Sequence, residues 1–182
     1  MQTQQNKLLK IVFAGVLAAM VYVVTLFRFP LLGSKVHFAN AVCLLSGMLL
    51  GPVWGGLAAG LGSALYDAFG GGYDILNILI TFVSKFAMAW VCGSLLAASF
   101  KNQQQTGTVR AVIACAAGAL TYVALYMFKS LLMYGWAGMV SRFPASIINA
   151  AAAIVAAPIF YHALTPALRA AGILKHLQGG AD

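Results

Sequence analysis

A chain of 182 residues that is 62% hydrophobic and only 8% charged cannot hide its apolar surface in one small soluble core, since soluble domains carry about 25% charged residues. Its formal charge of +8, from 11 Lys+Arg against 3 Asp+Glu, would suggest nucleic acid in a soluble protein. Here the cations lie mostly between apolar runs, with no basic cluster and no aromatic–basic motif. That pattern excludes nucleic acid as a partner and marks the cations as topology signals in a lipid bilayer.

About 20 apolar residues cross a ~30 Å hydrocarbon core, and the chain offers six such stretches in one domain spanning residues 1–182. The first span runs from Leu8 to Phe27. It is long enough to cross and no A-x-A cleavage site follows it in a convincing position, so it reads as a span rather than a leader. A polar break with Arg28, Pro30, Gly33, Lys35 and His37 follows. The second span, Phe38 to Leu50, is short and ends at the turn signal Gly51-Pro52. The third, Val53 to Phe69, ends in Gly70-Gly71-Gly72 and is dense in small residues, a pattern for close packing inside the protein. The fourth covers Ile75 to Phe100, and a polar loop, Lys101–Thr108, separates it from the fifth, Val109 to Tyr134. Gly135 to Pro144 reads as a mixed reversal before the sixth span, Ala145 to Leu164. The expected fold is an all-α membrane protein with six transmembrane helices. An even number of spans puts both termini on one side with Lys7, Lys10, Lys101, Arg110, Arg169 and Lys175. Arg28, Lys35 and Arg142 fall on the other side, so the positive-inside rule makes both termini cytoplasmic.

Two lysines interrupt the apolar runs, Lys85 in the fourth span and Lys129 in the fifth. A charge at a helix centre costs roughly 2.5–3.5 kcal/mol on insertion scales, so such residues point to an internal polar site. Helical spacing puts Asn77, Thr81, Ser84 and Lys85 on one face of the fourth span. Tyr122, Tyr126 and Lys129 share a face of the fifth, and Arg142, Ser146 and Asn149 a face of the sixth. At 1.5 Å per residue Lys85 lies about 15 Å below the outer end of its span and Lys129 about 8 Å. His37, Asn40, Asp67 and Asp74 belong to outer loops or helix ends, and Trp136 sits near the outer mouth. The polar residues therefore collect in the outer half, as a small-molecule pocket would. Plainer roles stay open: Lys129 as a snorkelling residue, Lys85 as an ion-pair partner of Asp67, Asn149 as a helix–helix hydrogen bond, His37 as a loop residue. The three cysteines, Cys43, Cys92 and Cys115, fall in separate apolar runs and read as buried thiols. No catalytic residue, metal site or cofactor is expected. There is no Ser/His/Asp order, no HExxH, no Walker motif, and no glutamate at all.

The stretch VHFANAVCLLSGMLLGPVWGGLAAGLGSALYDAFGG, followed by ILITFVSKFAMAWVCG, resembles the substrate-binding S components of energy-coupling factor (ECF) transporters. The matching features are His37–Ala41, the Leu50–Gly55 turn, the Gly62–Asp67 helix end and the central Lys85. One departure is Ala39-Asn40, where many relatives carry Gly-Asp. The resemblance implies six helices in a bacterial cytoplasmic membrane and capture of a vitamin or related micronutrient from outside. It also implies two kinds of partner: a transmembrane coupling protein and two cytoplasmic ATPases that alone hydrolyse ATP. In the family the Ala-x-x-x-Ala face of the first helix, here Ala14 and Ala18, docks the coupling protein, the subunit topples to deliver its ligand, and the loop Arg28–His37 acts as the gate. On spacing alone Ala14/Ala18 and the neighbouring pair Gly15/Ala19 serve internal packing or docking equally well.

The residues expected to bind substrate are Lys85, Asn77, Thr81, Tyr122, Tyr126, Lys129, Trp136, Arg142, Asn149, His37 and Asn40. Three cations favour a carboxylate, phosphate or several acceptors, as in pantothenate. The tyrosines and Trp136 favour a flat ring, as in pyridoxine, hydroxymethylpyrimidine or queuosine. A stand-alone facilitator or channel is the alternative, although its polar residues should line both halves of a path. A membrane enzyme should show a reactive pair, and none is visible.

Overall fold

The computed structural model describes residues 2–31, 34–101 and 106–178. Helix α1 (Gln2–Leu26) leads into two short strands, β1 (Phe29–Leu31) and β2 (Ser34–Val36). They pair antiparallel, with Phe29 opposite Val36 and Leu31 opposite Ser34. This hairpin is the one departure from an all-helical chain among the described residues. Pro30 is tolerated there because a two-stranded ribbon is all edge. Then come α2 (Ala39–Leu50), α3 (Pro52–Leu65) with a π-helical turn at Tyr66–Gly70, α4 (Ile75–Lys101), α5 (Thr108–Ala170) and the short α6 (Leu174–Gln178).

The polar break between the fifth and sixth spans is much sharper than the expected reversal over Gly135–Pro144. Helical backbone continues from Thr108 to Ala170 except at Gly135, whose φ of 69° and ψ of −172° lie where only glycine sits without strain. The chain doubles back there. Thr108 Oγ1 lies 3.5 Å from His162 Nε2, and Tyr122 faces Ser146, so the 108–134 and 136–170 arms run antiparallel. Pro144, Pro158 and Pro166 all sit inside the second arm without ending it.

Every residue of α2 is buried, because α1, α3, α4 and α5 all pack around it. Such contact needs backbones without side chains between them. A Cβ at Gly47 would collide with the Ala89 carbonyl of α4, and one at Gly55 would come within 2.5 Å of the Ser46 oxygen. The small residues of α3 are likewise used inside the protein. Gly56 and Gly60 seat the rings of Phe86 and Phe82, which stack with centroids 6.1 Å apart. The outward faces are apolar instead: Leu8, Val12 and Val16 on α1, Leu79 and Val83 on α4, Ile113 and Leu120 on α5 are all exposed. An apolar exterior around a tightly packed interior is the pattern of a protein dissolved in lipid.

Three helices, within Asn6–Leu26, Ile75–Ala97 and Thr108–Ala170, are long and apolar enough to cross a membrane, the last of them folded at Gly135. The chain is therefore a multi-pass, essentially all-α membrane protein. Helix α2 rises about 18 Å over its length, well short of the hydrocarbon core, and it is enclosed by protein rather than by lipid. The cysteines Cys43, Cys92 and Cys115 are free and buried.

Candidate functional site

The π-helical turn at the end of α3 sets the floor of the site. The buried face of α3 that carries Gly56, Gly60 and Ser63 continues at helical spacing to Asp67, which is 8% exposed. Its carboxylate meets the Thr81 hydroxyl and faces the ammonium groups of Lys129 and Lys85 and the guanidinium of Arg28. Asp74, the residue just before α4, stays exposed and accepts the Asn77 backbone N–H at 2.8 Å. That is a side-chain cap for the start of α4.

Helix α4 carries the next layer. Asn77, Thr81, Ser84 and Lys85 are all buried, as their shared face requires. Lys129 crosses from α5, donating to Thr81 Oγ1 at 2.7 Å and to the Asn77 carbonyl at 3.4 Å. At 4% exposure its ammonium points into the protein rather than out to an interface. Lys85, also 4% exposed, donates to Asn40 Oδ1 and lies over the ring of Tyr122, 4.0 Å from its centroid. Tyr126 stands between the two cations, 5.7 Å from Lys85 Nζ and 4.9 Å from Lys129 Nζ. Tyr122 and Tyr126 are neighbours, with centroids 5.1 Å apart. Two lysines over two tyrosine faces form a cation–π cluster screened from water, where such contacts reach about 2 kcal/mol.

The ceiling is the chain between the hairpin and α2. Asn149 Oδ1 accepts the His37 backbone N–H at 2.9 Å, which ties this segment to the second arm of α5. Asn149→Ala should therefore loosen the segment and raise ligand on- and off-rates with little change in melting temperature. Stopped-flow fluorescence reads the rates, and unchanged rates would remove the tie from the gate. The gate expected over Arg28–His37 falls partly outside the described residues, at 32 and 33.

His37 Nδ1 is shut off from solvent and has no partner. Burial first, then the charges of Lys85 and Arg28, lower its pKa to about 3. An unfolded histidine titrates near 6.5, so between those values the unfolded chain binds a proton that the folded chain refuses. Stability is then full above pH ~6.5 and falls as the pH drops towards about 3. Thermal unfolding in detergent between pH 4 and 7 should show this slope, and His37→Gln should flatten it. An equal slope in the variant would assign it elsewhere.

The structure thus brings together Lys85, Asn77, Thr81, Tyr122, Tyr126, Lys129, Asn40, His37 and Asn149. It does not bring in Trp136, which is 70% exposed just past the break at Gly135. Arg142 is half-buried and lies over the Tyr134 ring at 3.8 Å, at the margin of the cluster, with its charge still facing Tyr126 and Lys129. Lys85 meets an amide and a ring, not the Asp67 carboxylate that the ion-pair reading would give it. Sequence reasoning under-weighted two residues. Asp67 is the one acid inside an apolar run, a signal that could have placed it in the site. Arg28 lies over Tyr66, 5.1 Å from the ring centroid, and faces Asp67 and His37. On α1, Ala18 is buried, its carbonyl against Gly62 of α3, and Ala14 packs on the core. This pair is turned inward, and Gly15 and Ala19 are the exposed small residues of that helix.

A relative from Pyrococcus woesei, described as an uncharacterized protein in a gap 3′ region, is 26% identical over 133 residues, covering 71% of this chain and 83% of its own length. The family model described as ECF-type riboflavin transporter, S component, matches residues 5–166. That range takes in α1, the hairpin, the buried lysine cluster and nearly all of the doubled helix. Matched over that range, this chain belongs to the ECF-type riboflavin transporter S component family.

Proposed function

We propose that this chain captures a small flat-ring micronutrient at the outer face of a bacterial cytoplasmic membrane, as the S component of an ECF importer. The observation that carries this reading is the pair of buried lysines over Tyr122 and Tyr126. A planar ring suits the tyrosine faces, and acceptor groups suit the ammonium donors. The family's description points to riboflavin as the first ligand to test, ahead of pyridoxine, hydroxymethylpyrimidine and queuosine; pantothenate, which has no ring, suits only the ammonium donors. The chain acts as one membrane domain with six crossings and cytoplasmic termini, supported by the six-to-three distribution of cations about its apolar runs. A transmembrane coupling protein and two cytoplasmic ATPases supply the energy, and toppling of the subunit delivers the ligand. Native mass spectrometry of protein purified from rich medium tests the reading. One retained ring-containing ligand per chain supports it, and a chain that neither retains nor binds any of these vitamins removes it.

Docking of the coupling protein falls to the outward face of α1. Close approach of membrane helices depends on small residues, and there Gly15 has open space around it beside the exposed Ala19. The Ala14/Ala18 pair, which the resemblance singles out, borders this face from the inside. Gly15→Trp with Ala19→Trp should abolish coupled uptake and leave ligand affinity intact. Ala18→Trp should instead lower the melting temperature, because its side is filled by α3. Normal uptake by the Gly15/Ala19 double variant would move docking to another helix.

A further inference from the structure

Charge is not balanced inside this protein. Among the described residues three ammonium groups are buried, Lys10 on α1 and Lys85 and Lys129 in the cluster, against one buried carboxylate, Asp67, which belongs to the cluster. Asp67 meets Thr81 and faces Lys129 ahead of Lys85. The contacts of Lys85 are the Asn40 amide oxygen and the tyrosine faces, which are dipoles and quadrupoles rather than a countercharge. An ammonium carries three donors, so Lys85 keeps donor capacity beyond these contacts. Asn40 is 0% exposed, and its side chain lies beside the Tyr122 hydroxyl while Nδ2 makes no close hydrogen bond. The amide cannot be turned to hide this, because Oδ1 must face the lysine donor and a flip would set NH₂ against the ammonium. Asn40 also lies in the first turn of α2, a helix of 12 residues with no side-chain cap at Phe38. The positive end of its dipole is therefore directed at the same place. A surplus cation, an unmatched amide donor and an uncapped helix start all lack the same thing, which is negative charge on oxygen.

We propose that Lys85, Asn40 and the first turn of α2 form a subsite for an ionised oxygen of the ligand, a carboxylate or a ring oxide. This inference rests on the transport reading above and narrows its substrate class. The ligand's oxyanion replaces the missing countercharge, and a ring, in a ligand that has one, lies against Tyr122 and Tyr126. A cationic ligand such as an amine is repelled by both lysines. A neutral ring leaves the Asn40 donor and the Lys85 charge unmatched, and buried donors without acceptors select strongly against ligands that cannot fill them.

The test measures affinity of the full chain in detergent by calorimetry for two matched pairs and one neutral vitamin: pantothenate against panthenol, pyridoxine against 3-deoxypyridoxine, and riboflavin. The expected result is that the oxyanion member of at least one pair binds tenfold or more tighter than its neutral partner. Asn40→Asp, which sets a carboxylate beside Lys85, should erase that preference while the melting temperature holds or rises. If Asn40→Asp does not fold, Lys85→Met replaces it and should also erase the preference. Equal affinities within both pairs, a preference that survives either variant, or binding of riboflavin alone would overturn the subsite. Binding of riboflavin alone would leave the transport reading standing. Binding of none of the five would overturn the subsite, and coupled uptake would then judge the transport reading separately.

Discussion

Replacing Lys85 with alanine should weaken ligand binding by tenfold or more while the protein still inserts and folds. The residue lies at the centre of the cluster, over Tyr122, bonded to Asn40, and closed off from solvent. A hydrogen bond made by a charged group is worth roughly 1.5–3 kcal/mol, which is about one to two orders of magnitude in affinity. Removing the lysine also removes a buried charge that nothing nearby neutralises fully, so fold stability should hold or improve. Calorimetry with whichever vitamin the protein retains measures the first effect, and thermal unfolding in the same detergent the second. A variant of unchanged affinity and lowered melting temperature would make Lys85 a structural residue. Lys129→Ala should behave differently. It strips the partner facing Asp67 and leaves a buried carboxylate, so both affinity and stability should fall.

The largest effect on the fold is expected at Gly47. Valine there would drive its Cβ into the Ala89 carbonyl of α4, a backbone atom that cannot swing aside. Overpacking of a filled core typically costs about 1–3 kcal/mol, and more where backbone must move. Helix α2 is enclosed on all sides, so displacing it disturbs α3 and α5 as well as α4. Gly47→Val should be recovered as aggregate, or melt many degrees below the parent. Gly15→Val, a same-size change on the open face of α1, should melt with the parent. Size-exclusion profiles and unfolding curves of the two variants side by side make the comparison. A well-behaved Gly47→Val protein would mean that the α2–α4 contact is looser than described.

Much of this architecture is legible from residue order because a bilayer imposes one rule on every span. Apolar length locates the helices, and the helical period gathers Asn77, Thr81 and Lys85 on one face. What spacing cannot deliver is rotation and register. Ala18 and Ala19 differ by about 100° around α1, enough to turn one inward and the other to lipid, and a pattern of small residues looks the same in either case. Asp67 keeps the register of the buried Gly60 and Ser63 of α3, but its place near a helix end hides from spacing alone which neighbours it meets. The doubled helix misleads in the opposite sense. Pro144 reads as a stop but sits inside a continuing arm, and the reversal is made by one residue, Gly135, whose positive φ leaves no trace in hydropathy. An aromatic near the outer mouth, Trp136 reads as a pocket residue, yet the turn at Gly135 leaves it exposed. The hairpin of three-residue strands is too short to show the alternation that identifies a strand.

The central claim is that this chain binds a ligand for a motor that other chains supply. It is tested most directly by uptake of the retained vitamin into proteoliposomes, with the chain alone and with the chain plus coupling protein and ATPases. Uptake should require the complete assembly and ATP, and the chain alone should bind ligand without moving it. Passage of the vitamin down its gradient through the chain alone, indifferent to ATP, would contradict the account and identify a facilitator.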